Sequence, residues 1–172
     1  MNSIASRLIA AGTLLLTSAL AEERVTSEYT STAKKQSLSY HAEKEGDGFT
    51  MVCKGLGAYQ LVYTGGDARS WVNIKHGKTV VDLYGATMSA AGGRFPAKAN
   101  DVVEWRGVHS RSGFQPYAII YRITSNDEKT DRPFSRLLVI KLDGARSEIV
   151  GYAQGSNEDA KAKALADAQR PK

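Results

Sequence analysis

Two apolar runs in the second half of the chain decide the fold: residues 116–124, Pro-Tyr-Ala-Ile-Ile-Tyr-Arg-Ile-Thr, and residues 135–142, Ser-Arg-Leu-Leu-Val-Ile-Lys-Leu. Successive side chains of a β-strand point to opposite faces of a sheet. In the first run one face is therefore predicted to hold Tyr117, Ile119, Tyr121 and Ile123, and the other face Ala118 and Ile120. Apolar residues on both faces are typical of central strands that are covered on each side.

Working outward from these runs, the chain shows further short segments with period-two alternation, separated by Gly, Asp, Asn and Ser. They lie at residues 37–42, 49–53, 58–63, 68–75, 79–84, 102–106 and 147–153. Short strands with turn residues between them are typical of hairpin-rich antiparallel sheets. In segment 68–75, alternation places Ser70, Val72 and Ile74 on one face, with Arg69 and Trp71 on the other.

The C-terminus carries the only clear helical pattern. Ser156 followed by Asp159 has a spacing like that of a capping box, and acidic residues favour the first turn of a helix. An apolar stripe predicted to face the sheet consists of Ala160, Ala164, Leu165 and Ala168. We therefore predict an α+β fold, mainly an antiparallel β sheet or a small barrel-like sandwich, with one C-terminal helix.

Periodicity disappears between Gly85 and Asp101, a segment rich in Gly, Ala and Ser. It is predicted to be the longest loop of the domain. Loops of more than about 12 residues are uncommon in compact domains and often carry function. The segment is therefore interpreted either as a binding surface or as a flexible surface insertion.

The N-terminus has the pattern of a secretory signal peptide. Arg7 is the only charged residue among positions 1–21, the apolar run Leu8–Leu16 follows it, and the segment ends in Ala19-Leu20-Ala21. This order matches the charged, apolar and small-residue regions of such peptides, and the run is too short to span a membrane. We predict cleavage after Ala21, a loose arm or first edge strand over residues 22–36, and a single β-rich domain over residues 37–172. The expected location is the periplasm or the medium, with no integral membrane segment in the mature chain.

Composition excludes several function classes. The 172 residues carry a net charge of +5, and removal of the leader with its one arginine leaves +4. The basic residues are spread along the chain, so no nucleic-acid partner is predicted.

The single cysteine, Cys53, cannot form an intramolecular disulfide. It alternates with Phe49 and Met51 on a strand face that is predicted to be buried.

No catalytic, metal-binding or cofactor-binding motif is found. His41, His76 and His109 lie far apart in polar or turn contexts, and no pair has the spacing of metal ligands. Catalytic, cofactor-binding and metal-ligating residues are therefore all predicted to be none, although distant residues could still assemble a hydrolase site in the folded chain.

Arginines and aromatic residues supply the candidate interaction positions. In Val103-Glu104-Trp105-Arg106, Glu104 and Arg106 share one face of a strand while Trp105 lies on the other, and Trp105 is interpreted either as a core anchor or as part of an exposed patch. Such residues are enriched in binding hot spots. The predicted interaction residues are Arg69, Trp71, Arg94, Phe95, Trp105 and Arg106.

The order of motifs resembles that of a group of small exported hypothetical proteins of alphaproteobacteria over roughly residues 49–168. The motifs are Cys53-Lys54-Gly55-Leu56-Gly57-Ala58-Tyr59, Asp67-Ala68-Arg69, Val103-Glu104-Trp105-Arg106, Pro116-Tyr117-Ala118-Ile119-Ile120-Tyr121-Arg122 and the Asn157-Glu158-Asp159-Ala160 helix with Leu165-Ala166-Asp167. The resemblance implies export and a single domain, and it supplies no catalytic residues. That group often has a second cysteine near the last strand or helix, which this chain lacks.

The sequence thus favours a non-enzymatic periplasmic module that binds a protein or an envelope polymer. Alternatives are an inhibitor of lysozyme-type enzymes, a hydrolase with a site assembled from distant residues, and a purely structural envelope protein.

Overall fold

Residues 24–92 and 95–172 are described by the computed structural model. The ten strands are β1 (Arg24–Ser31), β2 (Ser37–Ala42), β3 (Phe49–Cys53), β4 (Tyr59–Gly66), β5 (Arg69–His76), β6 (Thr79–Val81), β7 (Ala97–Ser110), β8 (Gly113–Asn126), β9 (Pro133–Lys141) and β10 (Glu148–Ala153). The two α-helices are α1 (Tyr84–Ala90) and α2 (Glu158–Asp167). Within these residues, no helix has the length and apolar character needed to cross a membrane.

All ten strands belong to one open sheet. The main path runs β10-β9-β8-β7-β5-β4-β3-β2, while β1 pairs with β7 and β6 pairs with β5. Pairing is antiparallel except between β5 and β7, where Arg69 lies beside Ala97 in a parallel bridge. The sheet is therefore mixed but largely antiparallel, as predicted. The path ends at β2 and β10, so its described strands form an open sheet rather than the barrel-like alternative.

Two apolar clusters lie on opposite faces of β8 and β9. The larger cluster joins residues of β3, β4 and β5 to Trp105, Ile119, Tyr121 and Leu138. The smaller cluster lies under α2 and contains Ala118, Ile120 and Val139 of the sheet with two alanines of the helix. The predicted burial of both faces of these two strands is confirmed, and α2 provides the cover on one of them.

Tyr117 is an exception to the predicted alternation. It belongs to the α2 side of the sheet together with Ala118, rather than to the side of Ile119. The pairing of β7 with β8 shifts register between Arg106 and Gly107, and a bulge of this kind changes the direction of one side chain. The correction matters because Tyr117 contacts the last turn of α2.

The N-terminal arm predicted to be loose is ordered over its described residues, 24–36. Residues 24–31 form β1, which pairs one to one with Val102–His109 of β7, and a 3-10 turn follows at Lys34–Gln36. The alternative interpretation as an edge strand is thus the correct one. Pairing with an already central strand orders a polar segment that has no apolar period of its own.

The prediction of one long loop between Gly85 and Asp101 is wrong. This segment contains helix α1 and the first residues of β7. Thr87 and Met88 are buried in α1, and the Thr87 hydroxyl lies 3.1 Å from the hydroxyl of the buried Tyr121. Tertiary contacts therefore specify a helix in a segment whose own sequence favours neither a helix nor a strand.

Helix α2 was predicted correctly but with the wrong face and cap. Its buried residues are Ala162 and Ala166, whereas Ala160, Ala164 and Ala168 are exposed and Leu165 is half-buried. Asn157 rather than Ser156 precedes the helix, in a left-handed conformation with φ 59° and no side-chain capping bond. The predicted face and the buried face of the helix both consist mainly of alanine, so residue type does not show which of the two faces the sheet.

Cys53 is fully buried and free, as the alternation predicts. Its neighbours in the larger cluster include Met51 and Leu61. Burial raises the pKa of the thiol above its usual value, which leaves less of the reactive thiolate at neutral pH. The side chain therefore contributes to packing.

Candidate functional site

A strained turn between β4 and β5 sets the position of Arg69. The two turn residues, Asp67 and Ala68, have φ values of 51° and 58°, a conformation that costs a residue with a side chain roughly 1–2 kcal/mol. The carboxylate of Asp47 accepts a hydrogen bond from the backbone N–H of Asp67 at 2.9 Å, and Ala97 N–H donates to the carbonyl of Ala68 at 3.1 Å. Positive φ at both positions is the ordinary geometry of a two-residue hairpin turn, and the two hydrogen bonds fix the backbone from which Arg69 extends.

Arg69 lies directly after that turn and contacts two aromatic side chains. Its guanidinium carbon is 3.6 Å from the centroid of the Phe95 ring, and Nη1 donates to the hydroxyl of Tyr84 at 3.2 Å. Phe95 is 45% exposed, so the stacked pair is accessible to a partner. Asp67 supplies a distant carboxylate at 3.8 Å, which is too exposed to neutralise the arginine strongly.

Trp71 extends the cluster along the same face of β5. Its ring centroid is 4.7 Å from that of Tyr84, with the planes tilted by 58°. The indole N–H is enclosed and has no hydrogen-bond acceptor among residues 24–92 and 95–172. An enclosed donor without an acceptor costs about 1–3 kcal/mol, and such groups are few in native proteins. We call Arg69, Trp71, Tyr84 and Phe95 the arginine–aromatic cluster.

Beside the arginine–aromatic cluster lies an open cleft of about 280 Å³, lined by Asp47, Phe49, Tyr63, Gly66, Ala68, Arg69, Ser70 and Lys98. The hydroxyl of Tyr63 donates to Ser70 Oγ at 2.9 Å or to the carbonyl of Ala99 at 3.1 Å, and burial raises the pKa of this phenol. The cleft thus has an aromatic wall, two cationic side chains, Arg69 and Lys98, and one carboxylate, Asp47, which is bonded to the backbone of the turn. This chemistry suits carboxylate groups attached to an apolar or sugar framework.

The structure brings together three of the six predicted interaction residues: Arg69, Trp71 and Phe95. Arg94 lies outside the described residues. Sequence reasoning missed Tyr84, whose only signal was its place next to the segment 85–101.

Trp105 is not an interaction residue. Its side chain is completely buried in the larger apolar cluster, and its Nε1–H donates to Thr30 Oγ1 at 2.8 Å. The interpretation as a core anchor is therefore correct, and the prediction of an exposed patch at this position is wrong.

Arg106 is likewise engaged inside the molecule. Its Nε and Nη2 donate to the two carboxylate oxygens of Asp167 at 2.9 and 2.6 Å, and Nη1 donates to Ser27 Oγ at 2.8 Å. The side chain is 11% exposed. Its prediction as an interaction residue is wrong, because the last turn of α2 covers this face of β7.

These contacts belong to a polar network that joins β1, β7, β8 and α2. The hydroxyl of Tyr117 donates to Asp167 at 2.7 Å. Ser27 donates to the buried Glu104, and Lys163 lies 3.7 Å from the same carboxylate. We call Ser27, Glu104, Arg106, Tyr117, Lys163 and Asp167 the α2 clamp.

The α2 clamp perturbs its titratable groups. Burial would raise the pKa of Asp167, but the hydrogen bonds from Arg106 and Tyr117 outweigh it, and the pKa is lowered overall. Burial, together with the bond to Asp167, raises the pKa of Tyr117 to about 12. Each shift has a partner inside the protein, so the α2 clamp is best explained as the attachment of the helix to the sheet.

A larger cleft of about 480 Å³ lies near the start of α2 and includes Phe134, Arg136 and Gln154. Arg136 donates to Gln154 Oε1 at 2.7 Å and to the carbonyl of Ala90 at the end of α1. Its guanidinium also lies 4.3 Å from the centroid of the Tyr152 ring. The arginine therefore holds α1 against β9 and β10, and we place the candidate site at the arginine–aromatic cluster instead.

The three histidines occupy different environments. His109 Nε2 is 3.1 Å from Glu28, His76 packs against Tyr59 with centroids 5.0 Å apart, and His41 is exposed on β2. Within the described part of the chain, no three His, Cys, Asp or Glu side chains are grouped as metal ligands.

Comparison with known proteins gave no relatives: no family model, no curated protein and no solved structure matches the chain.

Proposed function

We propose that the protein is an exported, non-enzymatic binding module whose arginine–aromatic cluster binds a carboxylate-bearing polymer of the cell envelope. The observation that carries the proposal is Arg69, stacked at 3.6 Å on a Phe95 ring that is 45% exposed. A guanidinium can bind a carboxylate with two parallel hydrogen bonds, and an exposed ring offers an apolar surface to a sugar. Lys98 in the adjoining cleft adds a second cation.

The strained turn supports the same proposal. Asp67 and Ala68 keep positive φ angles although neither is glycine, and the contact with Asp47 holds them there. This arrangement fixes the backbone that carries Arg69, so a ligand meets a preorganised cation and loses less conformational entropy on binding.

Export rests on the leader pattern of residues 1–21. The first prediction is that the protein recovered from the cell envelope begins with Glu22, because the small-residue sequence Ala19-Leu20-Ala21 suits a signal peptidase. N-terminal sequencing or intact-mass analysis measures this directly. A protein that retains Met1 and stays in the cytoplasm would contradict export.

The second prediction concerns binding. In co-sedimentation with purified peptidoglycan, Arg69→Gln and Phe95→Ala are each expected to weaken binding roughly tenfold or more, since each removes one half of the stacked pair. The matched control is Arg146→Gln, which removes a positive charge from a side chain that is 82% exposed and outside the site.

An equal loss in Arg69→Gln and Arg146→Gln would mean that only the positive surface binds, and high salt would then abolish the interaction. That result would contradict a specific site. Inhibition of a lysozyme without any binding to peptidoglycan would instead make the partner a protein, as in the alternative function.

A further inference from the structure

Strand β1 is an open edge of the sheet that carries two charged residues, Arg24 and Glu28, but no bulge, proline or lysine. It contacts β7 with one-to-one register over eight residues. The two ends of the sheet path are irregular: β2 shifts register between Ser37 and Ser39, and β10 between Ile149 and Gly151. Bulges, prolines and lysines protect edges, and β1 contains none of them.

The direction of the free backbone groups follows from one hydrogen bond. Thr32 N–H donates to the carbonyl of Asp101 at 2.8 Å, so the even-numbered residues of β1 direct their backbone groups toward β7. Val25, Ser27 and Tyr29 then direct N–H and C=O away from it. Among the described residues, no other strand pairs with this side of β1.

We propose that a second copy of the protein occupies this edge, through antiparallel pairing of the two β1 strands about a two-fold axis at Ser27. In this register Val25 lies opposite Tyr29 of the second copy, and the reciprocal pair repeats on the other side of the axis. Val25, Ser27 and Tyr29, whose backbone N–H and C=O groups face away from β7, then exchange backbone hydrogen bonds with Tyr29, Ser27 and Val25 of the second copy, as hydrogen-bonded antiparallel pairs do. Dimerisation is independent of the proposed binding function.

Side-chain chemistry favours this register. Tyr29 is 59% exposed, and pairing with Val25 gives an aromatic–aliphatic contact of the kind that stabilises sheets. Arg24 of one copy comes diagonally next to Glu28 of the other, so opposite charges are neighbours. A shift of the axis by one residue to Glu28 would place two carboxylates directly opposite each other, which is unfavourable.

The test is sedimentation velocity on the protein as it is recovered from cells, over a range of concentrations. We expect a monomer–dimer equilibrium. We expect Tyr29→Lys to raise the dissociation constant by roughly tenfold or more, because lysine on an edge strand opposes pairing. Leu38→Lys on the β2 edge, where the leucine is 59% exposed like Tyr29, is the matched control and should leave the dissociation constant unchanged.

A second measurement fixes the register and covers the case in which a variant folds poorly. Val25→Cys combined with Tyr29→Cys places a thiol of each copy opposite a thiol of the other without touching the α2 clamp, at the Cα separation of about 5.5 Å that a disulfide can span, so mild oxidation should give a covalent dimer. Ser39→Cys on β2 should form no covalent dimer under the same conditions. Cys53 is buried and does not compete.

A wild-type protein that stays monomeric at about 1 mM, a concentration at which even a dimer with a millimolar dissociation constant is populated, would overturn the proposal. A dimer that is unaffected by Tyr29→Lys, or weakened only by Leu38→Lys, would also overturn it. A monomer both with and without residues 1–23 would likewise overturn it.

Discussion

Replacement of Trp105 with alanine is expected to lower the free energy of unfolding by about 4 kcal/mol. The side chain is completely buried, and its loss leaves a large cavity and removes the hydrogen bond to Thr30. Gly55 shows how tightly the indole is packed, because a Cβ added at that glycine would lie 2.9 Å from the ring. Urea denaturation followed by circular dichroism measures the change.

Trp71→Ala is the matched control, since it removes the same side chain from the half-buried arginine–aromatic cluster. We expect a smaller loss of stability from this variant, together with weaker binding to peptidoglycan. If Trp105→Ala instead preserved stability and abolished binding, Trp105 would be a partner contact, and its assignment to the core would be wrong.

Arg106→Ala is expected to destabilise the protein by about 2 kcal/mol, because hydrogen bonds to charged groups contribute roughly 1.5–3 kcal/mol and Asp167 would lose its main partner. The estimate is below that for a fully buried pair, since the Asp167 side chain is 36% exposed. Arg146→Ala, which breaks an exposed pair with Asp143, should change stability by less than about 0.5 kcal/mol. Equal losses in the two variants would mean that the α2 clamp adds nothing.

The same network predicts how stability depends on pH. The pKa of Asp167 is lower in the folded protein than in the unfolded chain, so its contribution is present above about pH 4 and is lost as pH falls through the folded value. The pKa of Tyr117 is raised to about 12. Its contribution is therefore complete below about pH 10, the value for an unperturbed tyrosine, and is lost as pH rises toward 12. We expect the loss of stability at acid pH to be smaller in Arg106→Ala, and the loss at alkaline pH to be smaller in Tyr117→Phe. Denaturation measured at a series of pH values tests both.

The strands could be predicted because alternation is a local property. Residues 116–124 and 135–142 carry apolar side chains on both faces, and their central position follows from that pattern alone. Helix α1 could not be predicted in this way. The residues that specify it, Thr87 and Met88, are buried against other parts of the chain, and these partners are far away in the sequence.

In the candidate site, too, local alternation could be predicted and contacts between distant parts of the chain could not. Alternation correctly separated Trp105 from Arg106 and Glu104, but it could not show that α2 covers one face and the larger apolar cluster the other. Arg69 and Trp71 share a face by period, whereas their contacts with Phe95 and Tyr84 depend on the positions of α1 and the segment after it. Composition therefore identified the right residue types, and only the fold sorted them into core, α2 clamp and surface.

Strand β1 also constrains the order in which the molecule can fold. Thr30 accepts a hydrogen bond from Trp105, 75 positions later in the chain. Ser27 bonds Glu104 and Arg106, which lie 77 and 79 positions later. Arg106 in turn bonds Asp167 in the last turn of α2. Non-local pairing of this kind must wait for loop closure. β1, the first strand among the described residues, therefore has no pairing partner until β7 has been synthesised, whereas the hairpins from β2 to β6 pair strands that are neighbours in the sequence.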